Sequence, residues 1–224
     1  MEADTIVPPT ADSADAADAA PPSPRTRVRR HPERGVYDRA AIEAILDEAA
    51  ICHVGFVHDG APVVIPTIHA RIGDALYLHG SAASRMMRTL AAGAEVCVTA
   101  TILDGLVLAR SVANHSMNYR SVVVLGRARP VEGREEKLAA LRAVVEHVDP
   151  GRWGVARHPN EQELRETLVA AVSLGEASAK VRTGPPKDDP DDLALPVWAG
   201  VVPLRMARGE PVPDEPRGQG PDGP

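Results

Sequence analysis

The stretch VVIPTIHARIGDALYLHGSAASRMMRTL, residues 63–90, contains the clearest local structural signals in the chain. Its apolar residues predict one strand over residues 62–72, and a Gly-Asp pair predicts the turn that ends this strand. A second strand is predicted over residues 75–80, and the polar residues after it break the strand pattern. Ser84 then has the residue type that caps a helix. The apolar residues of this helix are spaced to share one face: Met86, Met87 and Leu90.

Strand patterns recur along the rest of the chain, separated by short turn signals. They fall at residues 51–57, 95–103, 106–112, 119–131, 177–184 and 195–204. The Asp104-Gly105 pair predicts a tight hairpin between the second and third of these strands. Helix patterns fall at residues 39–50, 133–148 and 161–172, and Asp38 is placed to cap the first. Consecutive hairpins with few helices predict an α+β fold, an antiparallel β-barrel or sheet with helices at its ends.

Composition argues against several classes of function. The chain has 224 residues, a formal net charge of −6 and 3% aromatic residues, so nothing favours a nucleic-acid partner or a base-stacking surface. No apolar run approaches the roughly 20 residues of a membrane helix, and no signal-peptide pattern is present. Cys52 and Cys97 lie within apolar strand patterns, which is typical of buried, reduced thiols. We therefore expect a cytoplasmic protein with no membrane or nucleic-acid partner.

Both ends of the chain differ in composition from its middle. Residues 1–30 and 208–224 predict disordered tails, and residues 31–207 form the expected domain. The first tail ends in a basic run made of Arg25, Arg27, Arg29 and Arg30. This run fits an acidic surface, a bound phosphate or plain solvation, and solvation is the simplest interpretation.

Ser81, Ser84 and Arg85 lie where a predicted strand ends and a predicted helix begins. The first backbone N–H groups of a helix are unpaired and attract anions. Two hydroxyls and a guanidinium at that place indicate a phosphate-binding segment. The structural alternative is that Ser84 only caps the helix and Arg85 is only solvated.

Two further polar clusters interrupt apolar strand patterns. Pro66, Thr67 and His69 lie within one predicted strand, and because proline cannot donate to a ladder, this strand must lie at an edge or contain a bulge. Free backbone groups at such a place can meet a flat heterocycle. The other cluster lies where the strand pattern breaks before residue 119, and it comprises His115, Ser116, Asn118, Tyr119 and Arg120. Solvent exposure, turn geometry and surface ion pairs are the structural explanations for both clusters.

The quoted stretch and the phrase HSMNYRSVVVLGRARPV, residues 115–131, resemble the pyridoxamine 5′-phosphate oxidase-like family. The flavin-nucleotide-binding and nitroimidazole-resistance branch is the nearer one, and the resemblance covers Arg34 to Leu204. It implies an antiparallel split β-barrel with peripheral helices. It also implies a homodimer with FMN at the interface and a small-molecule substrate.

The resemblance also implies roles for individual residues. Those expected to bind the cofactor are Val64, Ile65, Pro66, Thr67, His79, Ser81, Ser84, Arg85, Asn118, Tyr119, Arg120 and Trp198. The first four border the flavin ring, and the serines with Arg85 hold the phosphate. Met86 stands where the true oxidase has a lysine, so one phosphate contact is missing. For an FMN-dependent oxidoreductase, His69 and Tyr119 are the candidate proton donors.

Two other functions stay open from the sequence. The same barrel could be a non-catalytic cofactor-binding or sensing module for haem or another flavin-like ligand. The candidate haem ligands are His53, His69, His79 and His115. A metal enzyme is disfavoured, because Cys52 and His53 are strand neighbours that point to opposite faces, and we expect no metal site.

Overall fold

The computed structural model describes residues 19–214, so the parts of the expected tails at residues 1–18 and 215–224 lie outside it. The helices are α1 Arg39–Glu48, α2 Arg85–Ala91, α3 Arg134–Val148 and α4 Glu161–Glu166. The strands are β1 Gly35–Val36, β2 Cys52–His58, β3 Ala61–Thr67, β4 His69–Ile72, β5 Ala75–Ser81, β6 Glu95–Leu108, β7 Ser116–Arg127, β8 Arg129–Pro130, β9 Thr167–Ser173, β10 Ala177–Arg182 and β11 Gly200–Pro203. None of the helices within residues 19–214 is long and apolar enough to span a bilayer.

The strands form two antiparallel sheets. In the large, seven-stranded sheet the order is β1-β10-β7-β6-β2-β3, and β11 pairs with β6 beside this path. The small, four-stranded sheet has the order β4-β5-β9-β8. Two antiparallel sheets combined with four helices confirm the predicted α+β class.

Buried and outward-facing residues alternate along the strands, and the buried ones form the core. On β2, Cys52, Val54 and Phe56 are buried, while the residues between them face away from the core. Leu76 and Leu78 of β5 join the same cluster from the small sheet. The predicted apolar faces of α1 and α2 complete it with Ile42, Ile45, Leu46, Met86, Met87 and Leu90. Each fully buried leucine or methionine of this set stabilises the fold by roughly 2 kcal/mol.

The predicted helix ends are confirmed. The Asp38 carboxylate accepts a hydrogen bond from the Ala41 N–H over 2.8 Å. Ser84 Oγ accepts one from the Met87 N–H over 3.4 Å, which starts α2. Gly93, with φ of 81°, lies just after α2 in the left-handed conformation that ends many helices.

The segment predicted as one strand over residues 62–72 is two strands in different sheets. β3 pairs with β2 in the large sheet, whereas β4 pairs with β5 in the small sheet. The chain changes sheets at Ile68, two residues after a proline that cannot extend a ladder. β3 is an edge strand, which confirms the position predicted for Pro66.

The prediction of a hairpin at Asp104-Gly105 is wrong, because both residues lie within β6, which is a single strand of 14 residues. The register of β6 with β7 shifts between Leu103 and Gly105, which marks a β-bulge. A Cβ on Gly105 would lie 3.0 Å from both Val201 Cγ1 and Val202 O. The glycine therefore permits the close approach of β11 and does not form a turn.

The helix predicted over residues 161–172 is also wrong. A capping box of Asn160 and Glu163 starts α4, which ends at Glu166, and β9 begins at the next residue. β9 is an inner strand of the small sheet, and Val169–Val172 are all buried. A strand buried on both faces has a continuous apolar run, which periodicity does not separate from a helix.

The inner face of α3 is shifted from the predicted one. The spacing of apolar residues predicts a face made of Leu138, Leu141, Val144, Val145 and Val148. Val144 is buried as predicted. Val148 is 50% exposed, and Ala140, which was not predicted, is buried on this face. The end of α3 extends past the small sheet that covers its middle.

The last part of the expected first tail lies against the large sheet. Thr26 is 4% exposed, the Val28 N–H donates to the Tyr37 hydroxyl over 2.8 Å, and Lys180 Nζ donates to the Arg30 carbonyl over 3.0 Å. We call residues 25–30 the basic arm. The domain limits at residues 31 and 207 stay a prediction.

The Cys52 thiol should be unreactive in the folded protein. Its side chain is fully buried on β2, and burial raises its pKa to about 12, so almost no thiolate exists at pH 8. Titration with a disulfide reagent at pH 8 should give the same number of reactive thiols for the native wild type and for Cys52→Ala. After denaturation the wild type should show two thiols and the variant one. Modified Cys52 in peptides from the folded protein would contradict this.

Candidate functional site

The outward side of β2, β3 and β6 forms a flat patch. Strand register aligns its residues in two rows, Pro66–His53–Thr99 and Val64–Gly55–Cys97. We call these six residues the outer patch. A Cβ on Gly55 would lie 3.3 Å from the Cys97 carbonyl oxygen. Because glycine has no side chain, nothing projects from the centre of the second row. Since β3 pairs with no strand but β2 among residues 19–214, its other edge has free backbone groups for a planar ligand.

The four residues expected to border a ring divide between two sides of β3. Val64 and Pro66 are exposed on the outer patch, and Val64 is 64% exposed. Ile65 packs against the core, and Thr67 is half-buried on the same side. Only the first two side chains therefore face a ligand on this surface.

The turn between β5 and α2 presents two hydroxyls and a guanidinium. Ser81 Oγ accepts from the Ala83 N–H over 3.2 Å, and Ser84 Oγ accepts from Met87 as the helix cap. Both hydroxyl hydrogens stay available as donors to a ligand. Arg85 is exposed and has no carboxylate partner among the described residues. This arrangement can bind a phosphate through charge-assisted hydrogen bonds.

A cavity of about 360 Å³ lies beside this turn and is lined by His79, Gly80, Ser81, Glu163, Glu166 and Thr167. Burial lowers the pKa of His79, and its buried Nδ1 has no hydrogen-bond partner. A hydrogen bond from Arg157 lowers the pKa of Glu163 to about 2, so this carboxylate stays charged. Its negative charge opposes a phosphate inside the cavity. The phosphate argument therefore depends on Arg85 and the hydroxyls.

Asn118, Tyr119 and Arg120 face different surroundings. Tyr119 lies on the outward side of β7, in register with Leu103 and Arg182. Arg120 donates hydrogen bonds to the carboxylates of Asp104 and Glu48, and these bonds raise the pKa of its guanidinium.

Asn118 is buried and donates to the Gly184 carbonyl over 3.2 Å, while its side-chain oxygen accepts from Arg182. The sequence analysis missed Arg182, which is 6% exposed and also donates to the carbonyls of Gly184 and Pro185. This pair holds the loop after β10.

Trp198 is 64% exposed and precedes β11. A Cβ on Gly200 would lie 2.9 Å from the Trp198 ring, so the indole rests on that glycine. The structure thus brings Val64, Pro66 and Tyr119 to one outward side and places the serines with Arg85 at a separate turn. The roles of all these residues stay predictions.

His69, which is buried, and His147, which is half-buried, form a pair whose ring centroids are 5.0 Å apart. His69 Nε2 lies 2.8 Å from the Leu46 carbonyl, and His147 Nε2 lies 3.0 Å from the Ala49 carbonyl. Because carbonyl oxygens only accept, each Nε2 must carry the hydrogen. The Nδ1 of His69, which is 0% exposed, is left without a partner. A proton donor to a diffusing substrate needs access that His69 lacks in this structure, so its catalytic role stays a prediction.

Burial lowers the pKa of His69, which keeps the ring neutral at pH 7. A neutral imidazole whose other nitrogen donates to a backbone carbonyl has the electronic state of an iron ligand. The sequence analysis missed His147, although it shares a helical face with the buried Ala140 and Val144.

The other histidines considered as haem ligands lie apart from this pair. His53 faces outward on the outer patch, and His115 is exposed, with Nδ1 2.9 Å from the Ser111 carbonyl. Within residues 19–214, no three His, Cys, Asp or Glu side chains are grouped so that they could hold a metal ion.

The chain resembles several solved structures. A flavocytochrome from Azotobacter vinelandii is 45% identical, with a TM-score of 0.82, and the match covers 91% of this chain and 94% of that one. A protein described as FAD and heme binding from Mycobacterium smegmatis is 35% identical, with a TM-score of 0.79, over 85% of this chain and 94% of that one. A candidate 5-nitroimidazole antibiotic resistance protein from Bacteroides thetaiotaomicron is 26% identical, with a TM-score of 0.55, over 66% and 86%.

A comparison with curated proteins found no match. The family described as pyridoxamine 5′-phosphate oxidase matches residues 38–181, which contain the outer patch, the β5–α2 turn, His69 and His147. Together with the two antiparallel sheets, this match establishes the split-barrel architecture expected from the sequence. The chain belongs to the pyridoxamine 5′-phosphate oxidase family.

Proposed function

We propose that this protein is a redox protein that binds both a flavin and haem. The observation that carries this proposal is the 45% identity, over 91% of the chain, with a flavocytochrome. Another relative above 30% identity is described as binding FAD and heme. FMN was the cofactor implied by the sequence, and these relatives favour FAD. An oxidoreductase acting on a small molecule follows from such cofactors, whereas a sensing module without turnover is the alternative.

The residues present fit a flavin. Ser81, Ser84 and Arg85 supply two hydroxyl donors and one cation for the phosphate attached to the ribityl chain. The outer patch is a flat surface on which a planar ring can lie, and the free edge of β3 offers backbone groups to its polar edge. Tyr119, on the same outward side, is the remaining candidate for proton transfer there.

The residues present also fit haem. The orphaned Nδ1 of His69 and its half-buried neighbour His147 are the imidazoles best prepared to hold iron, and because His69 is 0% exposed, the packing around it must open to admit haem. Their Nε2–H groups are fixed by two carbonyls at the end of α1, which sets both ring orientations. When bound, the two cofactors supply hydride and single-electron transfer. The protein's part is to orient them and to keep water from His69.

The outward side of the large sheet supports the proposal of a homodimer. Val57 is 62% exposed, Val64 64%, Met117 49% and Leu103 40%. Exposed apolar side chains on one sheet face mark an interaction surface. A second copy of the chain would cover them and enclose a ring on the outer patch. A cytoplasmic location stays a prediction.

Arg85→Ala should weaken flavin binding by about 1.5–3 kcal/mol, because one charge-assisted contact to the phosphate is lost. Quenching of flavin fluorescence, titrated with both FMN and FAD, measures the dissociation constants. Arg88→Ala is the matched control, since Arg88 is an exposed arginine at the other end of α2. Equal constants for the two variants would remove Arg85 from the site.

His69→Ala and His147→Ala should each weaken haem binding at least tenfold, because an iron ligand or its paired imidazole is lost. Titration with hemin, followed by the Soret band, measures affinity and also reports a change of ligation. His53→Ala and His115→Ala should leave the band unchanged. Circular dichroism of the buried-site variants checks that they fold. A wild-type Soret band in both of them would refute this ligand pair.

Val57→Glu should dissociate the dimer, because it places a charge in the apolar interface. Light scattering should give the wild type twice the 23.7 kDa chain mass and the variant one chain mass. Val155→Glu, at a residue 76% exposed outside the sheets, is the control. A monomeric wild type would refute the homodimer.

A further inference from the structure

The basic arm is held in place against the large sheet. A turn closes at its start, where Thr26 Oγ1 donates to the Ser23 carbonyl over 2.9 Å. The Tyr37 hydroxyl accepts from Val28, and Lys180 donates to the Arg30 carbonyl. These contacts hold the arm over the outward side of β7 and β10.

A cavity of about 290 Å³ lies between the arm and these strands, which is close to the size of small-ligand sites. It is lined by the whole arm and by Ser121, Val123, Ser178, Ala179 and Lys180. Five lining residues are cations and none is an acid. On a chain with a net charge of −6, this is a local concentration of positive charge.

The cations of the cavity are mostly free of acidic partners. Arg25 pairs with Glu176 and Glu95. Arg27, Arg29 and Arg30 have no carboxylate partner within residues 19–214. By contrast, Arg25 and ten further arginines of the same range each pair with a carboxylate. Guanidinium groups keep their charge at all physiological pH values. A cavity of this kind selects an anion.

Ser178 adds an uncharged donor to the cavity wall. It is 7% exposed and lines the cavity, so a ligand there would lie against it. Its hydroxyl can donate to a ligand oxygen.

We infer that this cavity binds the diphosphate of a dinucleotide. Several guanidinium groups and the Ser178 hydroxyl match the several acceptor oxygens and the charge of a diphosphate. Two molecules carry this group, and their identification rests on the proposed function: a flavin dinucleotide, whose diphosphate would then lie here and not at the β5–α2 turn, and a reduced pyridine dinucleotide that supplies electrons. Such a site would favour dinucleotides over FMN, which lacks the second phosphate.

Calorimetric titration of the full-length protein with ADP at low salt tests the site. The variant Arg27→Gln/Arg29→Gln/Arg30→Gln should bind ADP at least tenfold more weakly than the wild type. Ser178→Ala, which leaves the charges in place, should lose about threefold. The matched control is Arg142→Gln/Arg152→Gln/Arg205→Gln, three exposed arginines outside the cavity, and it should bind ADP as the wild type does.

Absent ADP binding to the wild type, or equal affinities for wild type and arm variant, overturns the inference. With a positive ADP result, the arm variant identifies the source. Weaker binding of FAD with unchanged FMN indicates the flavin dinucleotide, and weaker binding of NADH with unchanged FAD indicates the electron donor. Failure of the wild type to bind either FAD or FMN would refute the proposed function, while the ADP titration still decides the anion site.

Discussion

The passage of the chain from one sheet to the other at Ile68 determines where every candidate group lies. β3 ends the large sheet at its edge, and β4 enters the small sheet directly afterwards. Pro66 therefore stands on an outward surface, whereas His69, three residues later, is completely buried. Because a core forms between the two sheets, this one crossing separates an accessible flat patch from an enclosed imidazole.

Hydrogen bonding separates structural polar groups from candidate functional ones. Arg120 is bound by two carboxylates and Asn118 by a loop and a guanidinium, so both have their partners within the fold. The Nδ1 atoms of His69 and His79 are buried without partners. An unpartnered buried polar atom costs free energy, roughly 1–3 kcal/mol, which a ligand can recover. That contrast favours the histidines over Arg120 as sites of ligand contact.

Ion pairing likewise separates structural arginines from candidate functional ones. Most described arginines lie in ion pairs with acidic residues, as expected of a surface with net negative charge. The basic arm concentrates unpaired cations on one side of the large sheet, next to an apolar outward surface. Both features lie on the side that a second copy of the chain would face. Anion binding and assembly can therefore be coupled in this protein.

Local features of this protein follow from its sequence. The cap of α1 at Asp38, the start of α2 at Ser84 and the edge position of Pro66 depend on neighbouring residues, whose side chains and backbone preferences act over a few positions. The family was recognisable for the same reason, since its phrases are contiguous. Tertiary structure alone decided that β6 runs through Asp104-Gly105, that β9 is a strand, and that His69 meets His147. Each of these depends on burial against segments far away in the chain, and the free energy of that burial exceeds the small local preferences that sequence patterns record.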